Sequence, residues 1–190
     1  MRVLVACEFS GVVRDAFRHK GHDAWSCDLL PCESGWFPSD YHLQGDIVEM
    51  VETPGWARQW DLMIAHPPCR YLAISGARWW ETKQVEQRKA IYFFLTLKDA
   101  RIPQICIENP VGIMSTVWRK PDQYIQPWQF GHGETKKTSL WLKNLPLLKP
   151  TKIVKGREAR IHRMPPSKSR GKLRSISYQG VADAMAEQWG

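Results

Sequence analysis

No stretch of this sequence is apolar for long enough to cross a bilayer. The longest run, residues 90–97, is already broken by Thr96, well short of the ~20 residues a spanning helix needs. Cysteine is scarce and odd in number, five residues with no Cys-x-x-Cys pair. That excludes a signalled disulfide framework or zinc quartet, so reduced thiols and no metal site are expected. The opening hydrophobic run stops at Glu8 with no small-residue cleavage site behind it, so no secretion signal is read and a cytoplasmic protein is expected. There is no internal repeat or low-complexity tract. A complete Gly-x-Gly-x-x-Gly is also missing, because Val12, Val13 and Arg14 follow Gly11, which disfavours a nicotinamide-dependent oxidoreductase. Acid is nearly absent from residues 136–174, which hold 13 of the 27 basic residues but only one of the 19 acidic ones, Glu158.

What is present reads as a globular chain: 190 residues, 43% hydrophobic and 11% aromatic, enough for one domain with a sizeable core. We expect a single domain over residues 1–190, with a basic, loop-rich segment at 136–174 and a closing helix at 181–189. Net charge is +8, and its concentration in one segment is the footprint of a polyanion-binding face, for nucleic acid or a nucleotide's phosphates, with a solvated basic tail as the alternative. Pro146, Pro150, Pro165, Pro166 and Gly171 interrupt the segment, so it should wrap as loops rather than form one basic helix.

Hydrophobic periodicity predicts strands at residues 2–6, 24–27, 61–65, 105–107 and 138–142, with a short one around Gly45, Asp46 and Ile47. Helices are predicted after Gly11, closed by Gly21, over 84–100 and over 181–189. Strands alternating with helices imply an α/β fold with a mostly parallel sheet and helices on both faces. In such sheets ligands sit beyond the carboxyl ends of the strands. The residues there are Cys7 to Gly11 after the first strand, Asp28 after the second, His66-Pro67-Pro68-Cys69 after the fourth and Glu108-Asn109-Pro110 after the fifth. An acid after the second strand suits a ribose diol, and equally a turn. Cys69, on a rigid Pro-Pro turn outside the hydrophobic pattern, is a candidate nucleophile, with a small buried hydrophobe as its plain alternative. Glu108 follows an apolar strand, so it must reach a cleft or be paired. His66 is expected to hydrogen-bond rather than to ligate.

These motifs, in this order, resemble the carbon-5 cytosine methyltransferases, and the run through QPWQFGHGETKKTSLWLKNLPLL to SYQGVADAMAEQWG resembles short phage-encoded members of that group. The resemblance implies a Rossmann-like S-adenosylmethionine-dependent methyltransferase fold. ACEFSGVVRDAF matches the cofactor loop, so Glu8, Phe9, Ser10 and Gly11 would lie by the methionine part of S-adenosylmethionine. Asp28 would meet the ribose and Asp46, in QGDI, the adenine. HPPCRY makes Cys69 the nucleophile, with Pro68 beside the cofactor, and IENP makes Glu108 the acid and Asn109 its neighbour. Pro110 departs from the usual valine. Arg70, Lys136, Lys137 and Thr138 stand where substrate contacts are implied. By similarity, Cys69 adds to carbon 6 of the pyrimidine, Glu108 meets ring nitrogen 3, and carbon 5 takes the methyl group.

The interval between the last strand and the closing motif is about three dozen residues, where DNA-modifying members carry a large target-recognition domain. So short a segment cannot hold its own core. The substrate therefore stays open between DNA, read by the basic segment or with a protein partner or second copy, and a free pyrimidine nucleotide. Two rivals come from other classes. An amino-methyltransferase would want Asn and Tyr where His66 and Cys69 stand. A non-catalytic nucleic-acid-binding module would stack bases on Trp79, Trp80 and Trp128 beside Arg78.

Overall fold

Strand β1 (Arg2–Ala6) is a nearly continuous apolar run whose Val3, Leu4, Val5 and Ala6 are all fully buried, as a strand covered on both faces requires. Its side chains alternate between two cores. Val3 and Val5 pack with helices α1 (Val12–His19) and α7 (Gln179–Trp189), through residues such as Phe17, Met185 and Trp189. Leu4 and Ala6 face the other layer, with Phe94 and Leu97 of helix α3 (Gln84–Lys98) and Trp141. The computed structural model describes residues 1–37 and 39–190.

Around β1, strands β2 (Asp23–Asp28), β3 (His42–Gln44), β4 (Leu62–Ala65) and β5 (Gln104–Pro110) run parallel, while β7 (Thr138–Lys143) is antiparallel to both β5 and β6 (Gln123–Ile125). The sheet order is β3-β2-β1-β4-β5-β7-β6. The expected Rossmann-like α/β fold with a mostly parallel sheet is therefore observed. The order reverses between β1 and β4, and the crevice at such a switch point is where open α/β sheets bind ligands. Shorter helices complete the set: α2 (Ile47–Glu52), α4 (Met114–Val117), α5 (Arg160–Arg163) and α6 (Arg170–Ser175).

Two local expectations are corrected. The third strand is His42–Gln44, not the segment around Asp46. Asp46 is instead the N-cap of α2, its carboxylate accepting the Val48 N–H at 2.8 Å, a use of Asp that outcompetes a short strand. Strand β5 also does not end at Ile107. Antiparallel pairing with β7 sets Glu108 opposite Leu140, Asn109 opposite Ser139 and Pro110 opposite Thr138, so the pairing partner, invisible locally, carries the strand three residues further. The strand β6 and helix α2 had no prediction.

Among the described residues, no helix is long and apolar enough to cross a membrane. Most of the basic segment is irregular and is interrupted by α5 and α6, with bridges tying Lys152 to Phe130 and Glu158 to Glu134.

Candidate active site at the carboxyl ends of β1, β4 and β5

The turn after β1 begins with Cys7 in a left-handed conformation (φ 60°) and reaches α1 through Gly11 (φ 74°). Gly11 has no side chain with which to cap the helix, leaving its first N–H groups exposed to an orphan's cost. Glu8 fills that role: its carboxylate, buried in the turn, accepts the N–H of Val13 at 2.7 Å and of Arg14 at 3.1 Å. Burial pushes the Glu8 carboxyl up, against the opposing pull of His66 and those two N–H groups. Phe9 is buried, its carbonyl accepting the Glu33 N–H and its ring lying 5.2 Å from Lys172 Nζ on α6. Lys172 is also ion-paired with Glu33, so α6 closes over this turn. Ser10 Oγ sits 3.5 Å from the Val12 N–H. At the end of β2, Asp28 is half-buried, with one carboxylate oxygen accepting the Leu30 N–H at 2.9 Å.

The turn after β4 is pinned at both ends. His66 donates its backbone N–H to the Ala6 carbonyl at 2.9 Å, joining the two turns. Asn109 is buried, and its Nδ2 donates to the Pro67 carbonyl at 2.7 Å, tying the Pro-Pro turn to β5. Beyond Cys69 the chain is clamped to the loop after β5: Ile113 N–H to Leu72 carbonyl at 2.9 Å, Ile74 N–H to Val111 carbonyl at 3.0 Å. That clamp needs a glycine, because a Cβ on Gly112 would lie 2.0 Å from the Leu72 carbonyl oxygen.

On this support Cys69 is exposed to solvent, the only such cysteine among the described residues. Its crowded surroundings push the thiol above the ordinary range, while the positive charges of Lys136 and Arg174 pull it back down. The buried thiols of Cys7 and Cys106 are pushed far up by burial, and Cys27 to about 12.

Glu108 lies within β5 and its Oε2 is 3.0 Å from His66 Nδ1, the two side chains 13% and 12% exposed. Burial would raise the Glu108 carboxyl, but His66 and then Lys136 outweigh it and hold it at about 2. Burial likewise opposes the charge on His66, and Glu108 together with Glu8 more than restores it, so the imidazole is raised. Three polar atoms here are buried without a partner among the described residues: His66 Nε2, Asn109 Oδ1 and Ser139 Oγ.

Lys136 Nζ donates to the Arg174 carbonyl at 3.0 Å. Thr138 Oγ1 donates to the Lys136 carbonyl at 3.0 Å, holding that residue in place. Glu108, Lys136, Thr138, Ser177 and Tyr178 line one narrow pocket. The structure thus gathers Cys69, Glu108, Asn109, Lys136 and Thr138, with Glu8 and His66 behind them. Lys137 lies apart, over the Tyr124 ring at 4.2 Å, and Arg70 lies 5.4 Å from the Tyr71 ring. Of the tryptophans, Trp79 is exposed under Arg78 and Trp128 lies under Arg157 at 3.9 Å. Sequence reasoning did not single out Arg174 and Tyr178, which reach the site from the end of the basic segment and the start of the closing motif.

No protein-family model and no curated protein matches the sequence. Solved structures do match the fold. A prophage-encoded E. coli protein described as a DNA modification methyltransferase aligns with 81% of this chain and 52% of its own, at 16% identity and TM-score 0.51. The S. pombe Dnmt2 methyltransferase aligns with 88% of this chain and 57% of its own, at 15% identity and TM-score 0.54. The chain therefore spans just over half the length of either, and what it shares with them is the Rossmann-like α/β fold.

Proposed function

We propose that this protein is an S-adenosylmethionine-dependent methyltransferase that acts on carbon 5 of cytosine in DNA through a covalent adduct with Cys69. One observation carries the reading: an exposed thiol, Cys69, on the turn after β4 that Asn109 and the loop around Gly112 clamp, stands by a buried carboxylate, Glu108, near the carboxyl end of the neighbouring parallel strand β5. A nucleophile and a carboxylate so arranged suit addition to an electron-poor ring.

The donor chemistry at the neighbouring strand ends fits the cofactor. Asp28 offers oxygens to a ribose diol at the end of β2, and the exposed Asp46 follows two residues after Gln44, the β3 residue paired with Asp28. Phe9, Ser10, Gly11 and Pro68 would complete the holding surface, with Glu8 acting through the helix cap it forms. When bound, S-adenosylmethionine supplies an electrophilic methyl group. In this reading the Cys69 thiolate, favoured by Lys136 and Arg174, adds to carbon 6. Glu108 meets ring nitrogen 3, and carbon 5 becomes nucleophilic. Once carbon 5 carries the methyl group, its proton would pass to solvent water, the carbon 5–carbon 6 double bond would re-form, and the sulfur–carbon 6 bond would break to release Cys69. Asn109 keeps the turn in register, and Lys136, Thr138 and the half-buried Tyr178 border the base. In this reading Arg70 and Lys137 would meet phosphates, and Trp128 beneath Arg157 an unstacked base. A duplex base would have to be flipped out to reach Cys69, with a partner protein or second copy assisting recognition.

The test is incubation with methyl-labelled S-adenosylmethionine and, in parallel, duplex DNA, single-stranded DNA, transfer RNA and cytidine nucleotides, with products read by mass spectrometry. Label at cytosine carbon 5 in DNA that disappears with Cys69→Ala, while cofactor binding persists, is the expected result. Label on free nucleotide alone would replace the DNA reading, and absence of cofactor binding would overturn the methyltransferase reading itself.

A further inference from the structure

Nitrogen 3 of cytosine is a hydrogen-bond acceptor, and an ionised carboxylate is an acceptor only. Glu108, held at about 2 by His66, is ionised near neutrality and has no proton of its own to give. The addition proposed above still requires one, because the electron pair displaced from the carbon 5–carbon 6 bond comes to rest at nitrogen 3. The proton must come from a group touching Glu108.

His66 Nδ1 is 3.0 Å from Glu108 Oε2. The charged and titratable groups that face the imidazole are Glu108 from β5, Glu8 from the turn after β1 and Lys136 from the approach to β7. Glu8 is itself fixed by α1, and the His66 backbone is fixed to Ala6, so the ring cannot easily drift from the carboxylate. Its Nε2 is buried with no partner among the described residues, leaving the Glu108 contact as the one the ring makes.

We propose that His66 is a positioning residue of this site, one that orients Glu108 and lends it, through the Nδ1–H to Oε2 contact, the proton that ring nitrogen 3 takes as Cys69 adds. This rests on the proposed function. The balance closes within the site: the sulfur–carbon 6 bond forms, the ring electron pair moves to nitrogen 3, nitrogen 3 takes a proton from Glu108, and Glu108 takes one from His66, which becomes neutral. After methylation the carbon-5 proton passes to solvent water as the carbon 5–carbon 6 double bond re-forms and the sulfur departs, and the nitrogen 3 proton returns through Glu108 to Nδ1. No outside acid is consumed.

His66→Gln keeps a comparable size and an amide N–H but cannot titrate. At pH 6.5, where the raised imidazole keeps its proton, it should lower kcat by about a hundredfold, the low end for loss of proton-transfer assistance, with KM and cofactor affinity unchanged. The alkaline limb of the kcat profile, set in the wild type by loss of the pair's proton, should move to lower pH. A limb that stays in place overturns the inference, as does an unchanged kcat. A second measurement needs no substrate: the His66 ring followed by NMR should titrate at lower pH in Glu108→Gln than in wild type, and an unchanged titration also overturns it. An inactive wild type would sink the proposed function instead, an outcome distinct from an active wild type whose His66→Gln limb does not move.

Discussion

The turns after β1 and β4 start side by side, His66 N–H donating to the carbonyl of Ala6 at the end of β1, yet they are built in opposite ways. The first turns its polar groups inward: Glu8 caps its own helix, Phe9 is buried, and α6 closes over it through Lys172. The second is stiffened by its own Pro67-Pro68 pair and from outside by Asn109 and the loop around Gly112, and leaves its reactive group, the Cys69 thiol, free. One turn is scaffold presenting backbone, the other a mount presenting a side chain. Stability and reactivity should therefore separate between them.

Substitutions can break or sharpen that separation. The largest stability effect is expected at Gly112→Ala, whose methyl would meet backbone atoms of Leu72 and Ala73 that cannot swing aside. The cost should be roughly 3 kcal/mol, read as a lower urea midpoint, together with slower alkylation of Cys69 as its mount loosens. Glu8→Ala follows. It strands two buried helix N–H groups and should cost about 1–3 kcal/mol, whereas Cys69→Ala in the other turn should change stability by less than about 0.5 kcal/mol, as exposed positions do. If Cys69→Ala proved the more destabilising, the contrast between the turns would fail.

The third expectation concerns pH. Glu108 is depressed from 4.5 to about 2, so its contribution is present above 4.5 and lost as pH falls towards 2. His66 is raised from 6.5, so its contribution is complete below 6.5 and lost as pH rises through the folded value. The stability difference between wild type and His66→Gln should therefore peak between pH 4.5 and 6.5, and a difference that is flat across denaturation curves from pH 3 to 9 would contradict the coupling. The smallest effect is expected at Lys136→Met. Removing a charge that favours the thiolate should slow iodoacetamide alkylation of Cys69 by roughly threefold at fixed pH, measured by mass spectrometry.

How far the site was legible depended on how local its causes are. Cys69 was readable because a Pro-Pro turn after an apolar run is stiff whatever surrounds it. Glu108 stood out because an acid beside an apolar strand demands a partner, but the pattern could not say that the partner is His66, 42 residues away in the chain. Asp46 misled: an Asp between Gly and Ile fits a strand end as well as an N-cap, and only the helix that formed after it decided. The two neighbouring lysines were indistinguishable as letters. Pairing with β6 and β7 sends Lys137 to Tyr124 and leaves Lys136 beside Glu108 and Cys69.

By itself the sequence determined the alternation of strands and helices, the placing of polar residues just past the carboxyl ends of strands, and the basic character of residues 136–174. Each is a matter of periodicity, strand length or composition, which act over a few residues. The charge states and partnerships at the site depend on how the chain folds. They arise where groups distant in the chain share a poorly solvated space: burial sets the cost of each charge, and the ion pair of His66 and Glu108 exists because β4 and β5 lie side by side.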